Sequence, residues 1–364
     1  MSNLVFYRKY RPQNFSDLIG QEHVVKTITN AILENAVSHA YLFSGPRGSG
    51  KTTMARLLAK AVNCENLKKY EPCNKCNSCL EINSGRAMDL IEIDAASNRG
   101  IDEIRELREG IKFSPSKLKY KVFILDEAHQ LSKDAANALL KTLEEPPSHA
   151  IFILATTEIH KMIPTIVSRC QRFDFRKLTM PEILQGLELI VKKEKIKIEK
   201  KALELIALSS GGALRDAQGL LDQIFSFVGE KQINIQDLKD FLGLADVSLL
   251  AELTDYLILK DIKGSLEFLE RVFEKGYDPQ EFLKDLIRYL RQLMVLKLSP
   301  ETSVVISLTK EEEEKIKKQG ERFLEKEIIF AVNTFLEAEN KTKYSSIPQL
   351  PLEIAVVEVI ENKE

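Results

Sequence analysis

Gly45-Pro46-Arg47-Gly48-Ser49-Gly50-Lys51-Thr52 places two glycines around a flexible loop and ends it on a cation and a hydroxyl. It follows an apolar run, Ala40–Ser44, and opens a stretch at helical spacing, Lys51–Val62. Backbone N–H groups of such a loop and of the helix start can converge on phosphate oxygens, which the glycines let approach closely. In that reading Lys51 contacts the β- and γ-phosphates and the Thr52 hydroxyl ligates Mg2+, with Thr53 beside it among the nucleotide contacts. A second segment, Val122–His129 (VFILDEAH), carries four apolar residues into an acidic pair. Asp126 and Glu127 then stand at the C-terminal edge of a strand, where open α/β sheets bind ligands. Asp126 would hold the Mg2+ shell and Glu127 would orient or deprotonate an attacking water. Together the two segments predict ATP hydrolysis and not binding alone. His129, beside the acids, is the one histidine of interest, since no two histidines sit at ligand spacing. Thr156 and Thr157 end a further apolar run; a hydroxyl there can sense a γ-phosphate, although threonine is also an ordinary strand residue.

A third constellation has no place in hydrolysis. Cys64, Cys73, Cys76 and Cys79 fall within sixteen residues, while Cys170 stands apart. In a reducing compartment such a cluster favours a metal over disulfides. Four thiolates suit a closed tetrahedral Zn2+ site; an Fe–S cluster or free thiols also fit the spacing. Cys170 is expected to pack as a small apolar residue.

The elements that must position these residues read as α/β in the first half. Ala40–Ser44, Asp89–Asp94, Lys121–Asp126 and Ala150–Thr156 are short, continuously apolar runs, as in a parallel sheet buried on both faces. Helical spacing fills the gaps at Lys51–Val62, Ile101–Lys112 and Asp134–Leu143. After Leu178 the strand signal stops. Pro181–Lys195, Lys200–Ser209 and Ala213–Val228 are helical, the last two separated by Gly211-Gly212. A third, all-helical region starts near Asp246. It breaks at Gly276–Pro279 and Ser299-Pro300, and Thr309 with Glu312 forms a capping pair for a helix from Lys310 to Gln319. Glu311–Glu314 reads as a solvated helix N-terminus favoured by the dipole, or as an acidic patch. The expected division is 1–178 (ATPase domain, with residues 64–79 as a metal-binding insertion), 179–243 and 244–364.

With 364 residues the chain suggests two or three domains, and 44% hydrophobic with 29% charged residues supports a proper core. The net charge of -2 argues against nucleic-acid binding by bulk positive charge, though one face of a neutral protein can be basic. No apolar run reaches the ~18 residues that span a membrane, and Met1–Arg11 lacks the apolar centre of a signal peptide. The expected compartment is the cytoplasm, with no membrane partner.

Beyond these motifs, Tyr7–Pro12 (YRKYRP), Phe15-x-Asp17-Leu18-Ile19-Gly20-Gln21, Leu139–Pro147 (LLKTLEEPP), Ser168-Arg169-Cys170 and Gly212–Ala217 (GALRDA) occur in a fixed order with the phosphate loop and the cysteines. The whole chain resembles the gamma/tau family of bacterial DNA polymerase III, AAA+ motors of the sliding-clamp loader. The resemblance implies an AAA+ core, a small helical lid and a helical collar. It makes Arg169 an arginine finger acting in trans on a neighbour's ATP, Arg215 a lid residue coupled to the γ-phosphate, and Thr157, or Thr156, the sensor at the strand end. Tyr7, Arg11, Pro12 and Ile19 are similar to the segments that cradle adenine, and the cysteine pattern points to structural zinc. Implied partners are the delta and delta-prime subunits, further gamma/tau copies, the beta sliding clamp, and primer–template DNA held by its backbone. Arg99, Arg105 and Lys141 are the candidate phosphate contacts. The chain's end after the third region suits either a short gamma form or the front of a longer tau-type chain. Two other readings compete. A non-catalytic scaffold could dispense with Lys51, Asp126-Glu127 and Arg169, all of which are intact; a Holliday-junction helicase would leave the four-cysteine insertion and third region unexplained.

Overall fold

The computed structural model describes residues 4–97, 110–111, 113–229, 231–242, 247–299 and 310–362. The chain divides into two compact units, Met1–Ile196 with Ile206–Gln223, and Lys197–Leu205 with Ile224–Glu364. Arg99, Arg105, most of the expected helix 101–112, and the Thr309–Glu312 capping pair lie outside the described residues.

The first unit is built on a parallel five-stranded sheet, β1 (Ala40–Ser44), β2 (Leu90–Asp94), β3 (Lys121–Asp126), β4 (Ala150–Thr156) and β5 (Gln171–Asp174), in the order β2-β3-β4-β1-β5. Side chains alternate across a strand, so each strand feeds two cores. Tyr41, Phe43, Val122, Ile124, Ile151 and Ile153 pack on one face, against the helix Lys51–Val62. Leu42, Phe123, Leu125, Phe152 and Leu154 pack on the other, against the helix Lys133–Glu144. This is why β1 and β4 are continuously apolar and wholly buried.

One strand expectation is corrected, and one strand went unread in the sequence. The run Asp89–Asp94 was expected to be buried on both faces; β2 is an edge strand with Glu92 and Asp94 exposed, and it begins at Leu90. Asp89 precedes it and instead accepts hydrogen bonds from the backbone N–H groups of Ser116, Lys117 and Leu118 at 2.8, 2.8 and 3.0 Å. β5 carries no continuous apolar signal. Only Phe173 of its four residues is buried, as an outer strand paired only to β1 requires.

In chain order the helices of this unit are α1 (Phe6–Lys9), α2 (Glu22–Leu33), α3 (Lys51–Val62), α4 (Asn77–Ser84), α5 (Lys133–Glu144), α6 (Pro164–Val167) and α7 (Met180–Glu194). The division between units falls within α8 (Lys200–Ser209) and α9 (Leu214–Val228). The N-terminus of α7 is fixed by a capping box: the Thr179 N–H donates to Glu182 Oε2 at 2.7 Å, and Arg176 holds the same carboxylate at 2.6 and 2.8 Å.

The second unit is helical among its described residues: α10 (Ile235–Leu242), α11 (Val247–Leu259), α12 (Ile262–Glu274), α13 (Pro279–Leu298), α14 (Lys310–Arg322), α15 (Glu325–Thr342) and α16 (Leu350–Glu361). Leu253, Leu286, Leu290, Phe335 and Val356 lie in one core shared by α11, α13, α15 and α16. No described helix is long and apolar enough to cross a membrane.

Candidate nucleotide site and cysteine centre

The helix α3 begins differently from α5, α12 and α13. Those three are capped by the side chains of Ser132, Asp261 and Asp278. The N-cap of α3 is Gly50, with no side-chain cap, so its first-turn N–H groups face the loop that precedes them. Two glycines make that loop possible. Gly45 has φ 150° and passes so close to Phe175 that a Cβ would meet its carbonyl oxygen at 2.3 Å. Gly48 has φ 76°, and a Cβ there would stand 2.9 Å from the Cβ of Ala213.

Within this loop Lys51 is 6% exposed, and its ammonium donates to the carbonyls of Gly45 and Pro46 at 2.7 and 2.9 Å. Burial lowers its pKa below the ordinary lysine value, while Glu127 and Asp126 act in the opposite direction. Ser49 Oγ closes the turn by donating to Pro46 O at 2.8 Å.

Strand alternation aims the acids. Asp126 continues the series Val122, Ile124 on the face that packs against α3, and its Oδ2 accepts from Thr52 Oγ1 at 2.9 Å. A hydroxyl and a carboxylate at this distance, beside a phosphate loop, suit a hard oxygen-seeking cation such as Mg2+. Glu127 leaves the strand in the left-handed region, φ 48° and ψ 44°. Its carboxylate is thereby carried to β4, where Oε2 accepts from Thr157 Oγ1 at 2.8 Å. The strand order explains the meeting: β4 lies between β1, which leads into the phosphate loop, and β3, which ends in the acids. Of the two threonines, Thr157 touches Glu127, whereas Thr156 Oγ1 lies 3.0 Å from His129 Nδ1. His129 is buried and stands 3.4 Å from both Glu127 and Glu158.

A cavity of about 430 Å3 opens onto these groups. Tyr7, Arg11, Pro12 and Ile19 line it, as do Arg47 to Thr53, Asp126, Glu127 and Arg215. The Arg215 guanidinium stacks over the Tyr7 ring at 4.8 Å from its centroid. Gly45 and Pro46 contribute through the carbonyls that hold Lys51. Arg169 lies elsewhere, on the turn between α6 and β5, donating to Thr165 O at 2.8 Å and to Glu144 Oε1 at 2.5 Å. Lys141 is exposed on α5.

Sequence reasoning missed Gln21. Fully buried, with φ 62°, it donates to Arg176 O at 2.7 Å and accepts from Arg176 N–H at 3.1 Å, bracing the loop beneath Ser49. Arg56 and Glu92, paired at 2.5 Å on the cavity wall, were missed too. Gln21 follows Gly20, which also has positive φ; that pair is the signal available in sequence.

The four clustered cysteines converge, their sulfurs all within 4.8 Å of one another. Around a tetrahedral ion with ~2.3 Å bonds, thiolates lie ~3.8 Å apart; Cys73 and Cys79 stand at 4.0 Å. Backbone N–H groups already serve the sulfurs: Cys73 N–H points to Cys64 Sγ at 3.2 Å, and Cys76 N–H to Cys73 Sγ at 3.3 Å. The N–H groups of Lys75 and Cys76 hold the Cys73 thiol down to about 6, whereas burial raises Cys79. The arrangement is compatible with zinc. Glu71 ties this module to the N-terminal segment, accepting from Phe15 and Ser16 N–H at 2.8 Å each. Cys170 is separate, its thiol pushed up to about 12 by burial.

Three family models between them match most of the chain. Residues 20–179 match the family model of the DNA polymerase III delta subunit. Residues 182–230 match that of the DNA polymerase III clamp loader subunit ATPase lid domain, and 233–364 that of DNA polymerase III subunits gamma and tau domain III. DNA polymerase III subunit gamma of Buchnera aphidicola subsp. Acyrthosiphon pisum is 36% identical over 360 residues, covering 99% of this chain and 99% of that protein. The chain belongs to the DNA polymerase III gamma/tau family. Subunit tau of Bacillus subtilis is 44% identical over 99% of this chain, and that of Escherichia coli 40% over 82%. The chain spans 63% of the Bacillus gamma/tau relative's length and 46% of the Escherichia one's. Among solved structures, the RuvB Holliday junction branch migration motor of Thermotoga maritima superposes with a TM-score of 0.48 at 20% identity, over 68% of this chain and 79% of that one.

Proposed function

We propose that this gamma/tau chain is an ATP-hydrolysing motor of a sliding-clamp loader. The observation that carries the reading is the meeting, at one sheet edge, of Lys51 on its loop carbonyls, Thr52 on Asp126 and Thr157 on Glu127. In the mechanism we infer, Lys51 exchanges its carbonyl partners for β- and γ-phosphate oxygens. Thr52 and Asp126 would hold a Mg2+ ion, which would supply charge neutralisation on the phosphates. Glu127, released from Thr157, orients a water and accepts its proton as the water oxygen bonds to the γ-phosphorus and the bond to the β–γ bridging oxygen breaks, so that ADP leaves; Thr157 turns to the γ-phosphate. Tyr7, Arg11, Pro12 and Ile19 cradle adenine, and Arg215 carries γ-phosphate contact into the lid.

Arg169 is proposed to complete the site of a neighbouring subunit. Its placement outside its own cavity, on Glu144, supports that reading, because a guanidinium offered outward can clamp phosphate oxygens of an adjoining nucleotide. We further propose structural zinc at Cys64, Cys73, Cys76 and Cys79, and backbone DNA contact through Lys141. In this account residues 1–178, 179–243 and 244–364 serve as motor, lid and collar. Delta, delta-prime, further gamma/tau copies, the beta clamp and primed DNA are the proposed partners, in the cytoplasm.

The test is turnover in the assembled complex. Adding clamp and primed DNA should raise the ATPase rate, and Arg169→Ala in every motor copy should lower it by about 10³-fold while nucleotide affinity persists. Normal hydrolysis by the Arg169→Ala complex would show that the finger is not supplied in trans.

A further inference from the structure

A second cavity, of about 620 Å3, adjoins the nucleotide cavity and shares Tyr7, Arg11, Pro12, Arg56 and Arg215 with it. Its remaining wall comes from α1 with the flanking Leu4 and Gln13, from α3, and from the end of α4 with Gly85. Arg8, Arg11, Arg56, Lys60 and Arg215 all line it, and no carboxylate does among the described residues.

These cations are poorly compensated on this side. The Arg11 guanidinium has no hydrogen-bonded or ion-paired partner among the described residues; burial lowers its pKa and Arg56, Arg215 and Arg8 act in the same direction, against the attraction of Glu92 on the nucleotide side. Arg56 meets Glu92 on the nucleotide side through its terminal nitrogen, yet its Nε is buried without a partner. Lys60 is 2% exposed and among the described residues donates to amide oxygens, Gln13 Oε1 at 2.9 Å and Asn83 Oδ1 at 3.0 Å, with Asp17 and Glu71 acting on it only at longer range. Unpaired buried charge is costly, so a cavity walled by like charges is stabilised by an anion within it.

Adenine and ribose are neutral and the triphosphate belongs at Lys51, so the nucleotide does not supply that anion. We propose that this cavity is a second anion site, which takes a phosphate group of a small ligand beside the bound nucleotide. Recession of Lys60 favours a small phosphate over a nucleic-acid backbone, which could not follow the cavity down to a nearly inaccessible ammonium. Because Arg11 and Arg215 face both cavities, occupancy of one changes the affinity of the other, reciprocally.

The inference rests on the nucleotide reading only for which cavity is already taken. The experiment is calorimetric titration of inorganic phosphate into the full chain saturated with Mg2+ and a non-hydrolysable ATP analogue. Failure of the analogue itself to bind would contradict the nucleotide reading and is seen separately, in the loading step. Phosphate should bind the loaded chain. Arg8→Gln should weaken it by about fivefold or more, and Ser84→Glu, which sets a carboxylate at the exposed rim, by about tenfold or more. Both variants should keep analogue affinity and melting temperature, because neither residue touches the phosphate loop. No phosphate binding to the loaded chain, or equal binding by both variants, overturns the proposal. Loss in the variants of affinity for a single-stranded oligonucleotide, with phosphate inert, also overturns it and gives the basic wall to nucleic acid.

Discussion

The phosphate-loop edge and the helical core of the second unit treat polar groups in opposite ways. In the helical unit they are spent internally. Buried Gln319 accepts from Tyr289 OH at 2.6 Å and donates to Ala251 O at 2.8 Å, joining three helices. Lys297 places its ammonium on the carbonyls of Gly320 and Phe323, at the end of α14, where a cation also suits the helix dipole. At the sheet edge the polar groups lean on near neighbours beside an open cavity. Gly50 caps α3 without a side chain, Lys51 rests on its own loop's carbonyls, and Glu127 is parked on Thr157. In the function we propose, those partners would be exchanged for the oxygens of a nucleotide and a water, whereas the bridges of the helical unit would stay in place.

That contrast can be broken from the structural side. Gln319→Leu removes two buried hydrogen bonds at once and should cost about 2–3 kcal/mol in denaturant unfolding of the second unit. ATP-analogue affinity should be untouched. A variant of unchanged stability would mean that the bridge is not holding the core.

A smaller effect sharpens the comparison within the first unit, at the Arg176–Glu182 pair that fixes α7. Arg176 and the Thr179 groups hold the Glu182 carboxyl down to about 2, below its ordinary 4.5. A depressed carboxylate contributes stability above its unfolded pKa and loses it as pH falls through the folded one. The contribution is therefore whole above about 4.5 and vanishes towards pH 2. Glu182→Gln should lower the melting temperature slightly at neutral pH and converge with the parent on acidification. Parallel melting curves from pH 6 to pH 3 would contradict the assignment.

What could be read in the sequence follows from how local each feature is. The phosphate loop, β3 with its acids, and the cysteine spacing are each carried within a few tens of residues at most, and each is legible there. Features made by distant pairs are not. Gln21 becomes a brace only when β5 brings Arg176 to it, and β5 itself shows one buried side chain, Phe173. The edge position of β2 is likewise a property of the sheet and not of the run LIEID. Arg169 has a visible motif, but its resting partner Glu144 is supplied by another helix. The basic second cavity is assembled from four segments, residues 4–13, 56–60, 82–85 and Arg215, which only the fold brings together.

The central claim is that the Asp126-Glu127 edge hydrolyses what the phosphate loop binds. It is tested most directly by Glu127→Gln, comparing equilibrium affinity for a fluorescent ATP analogue with single-turnover hydrolysis of ATP in the assembled complex. The account predicts analogue affinity within about twofold of the parent and hydrolysis slowed by ~10²–10⁴-fold. Hydrolysis at the parental rate, or affinity and hydrolysis lost together, would contradict it.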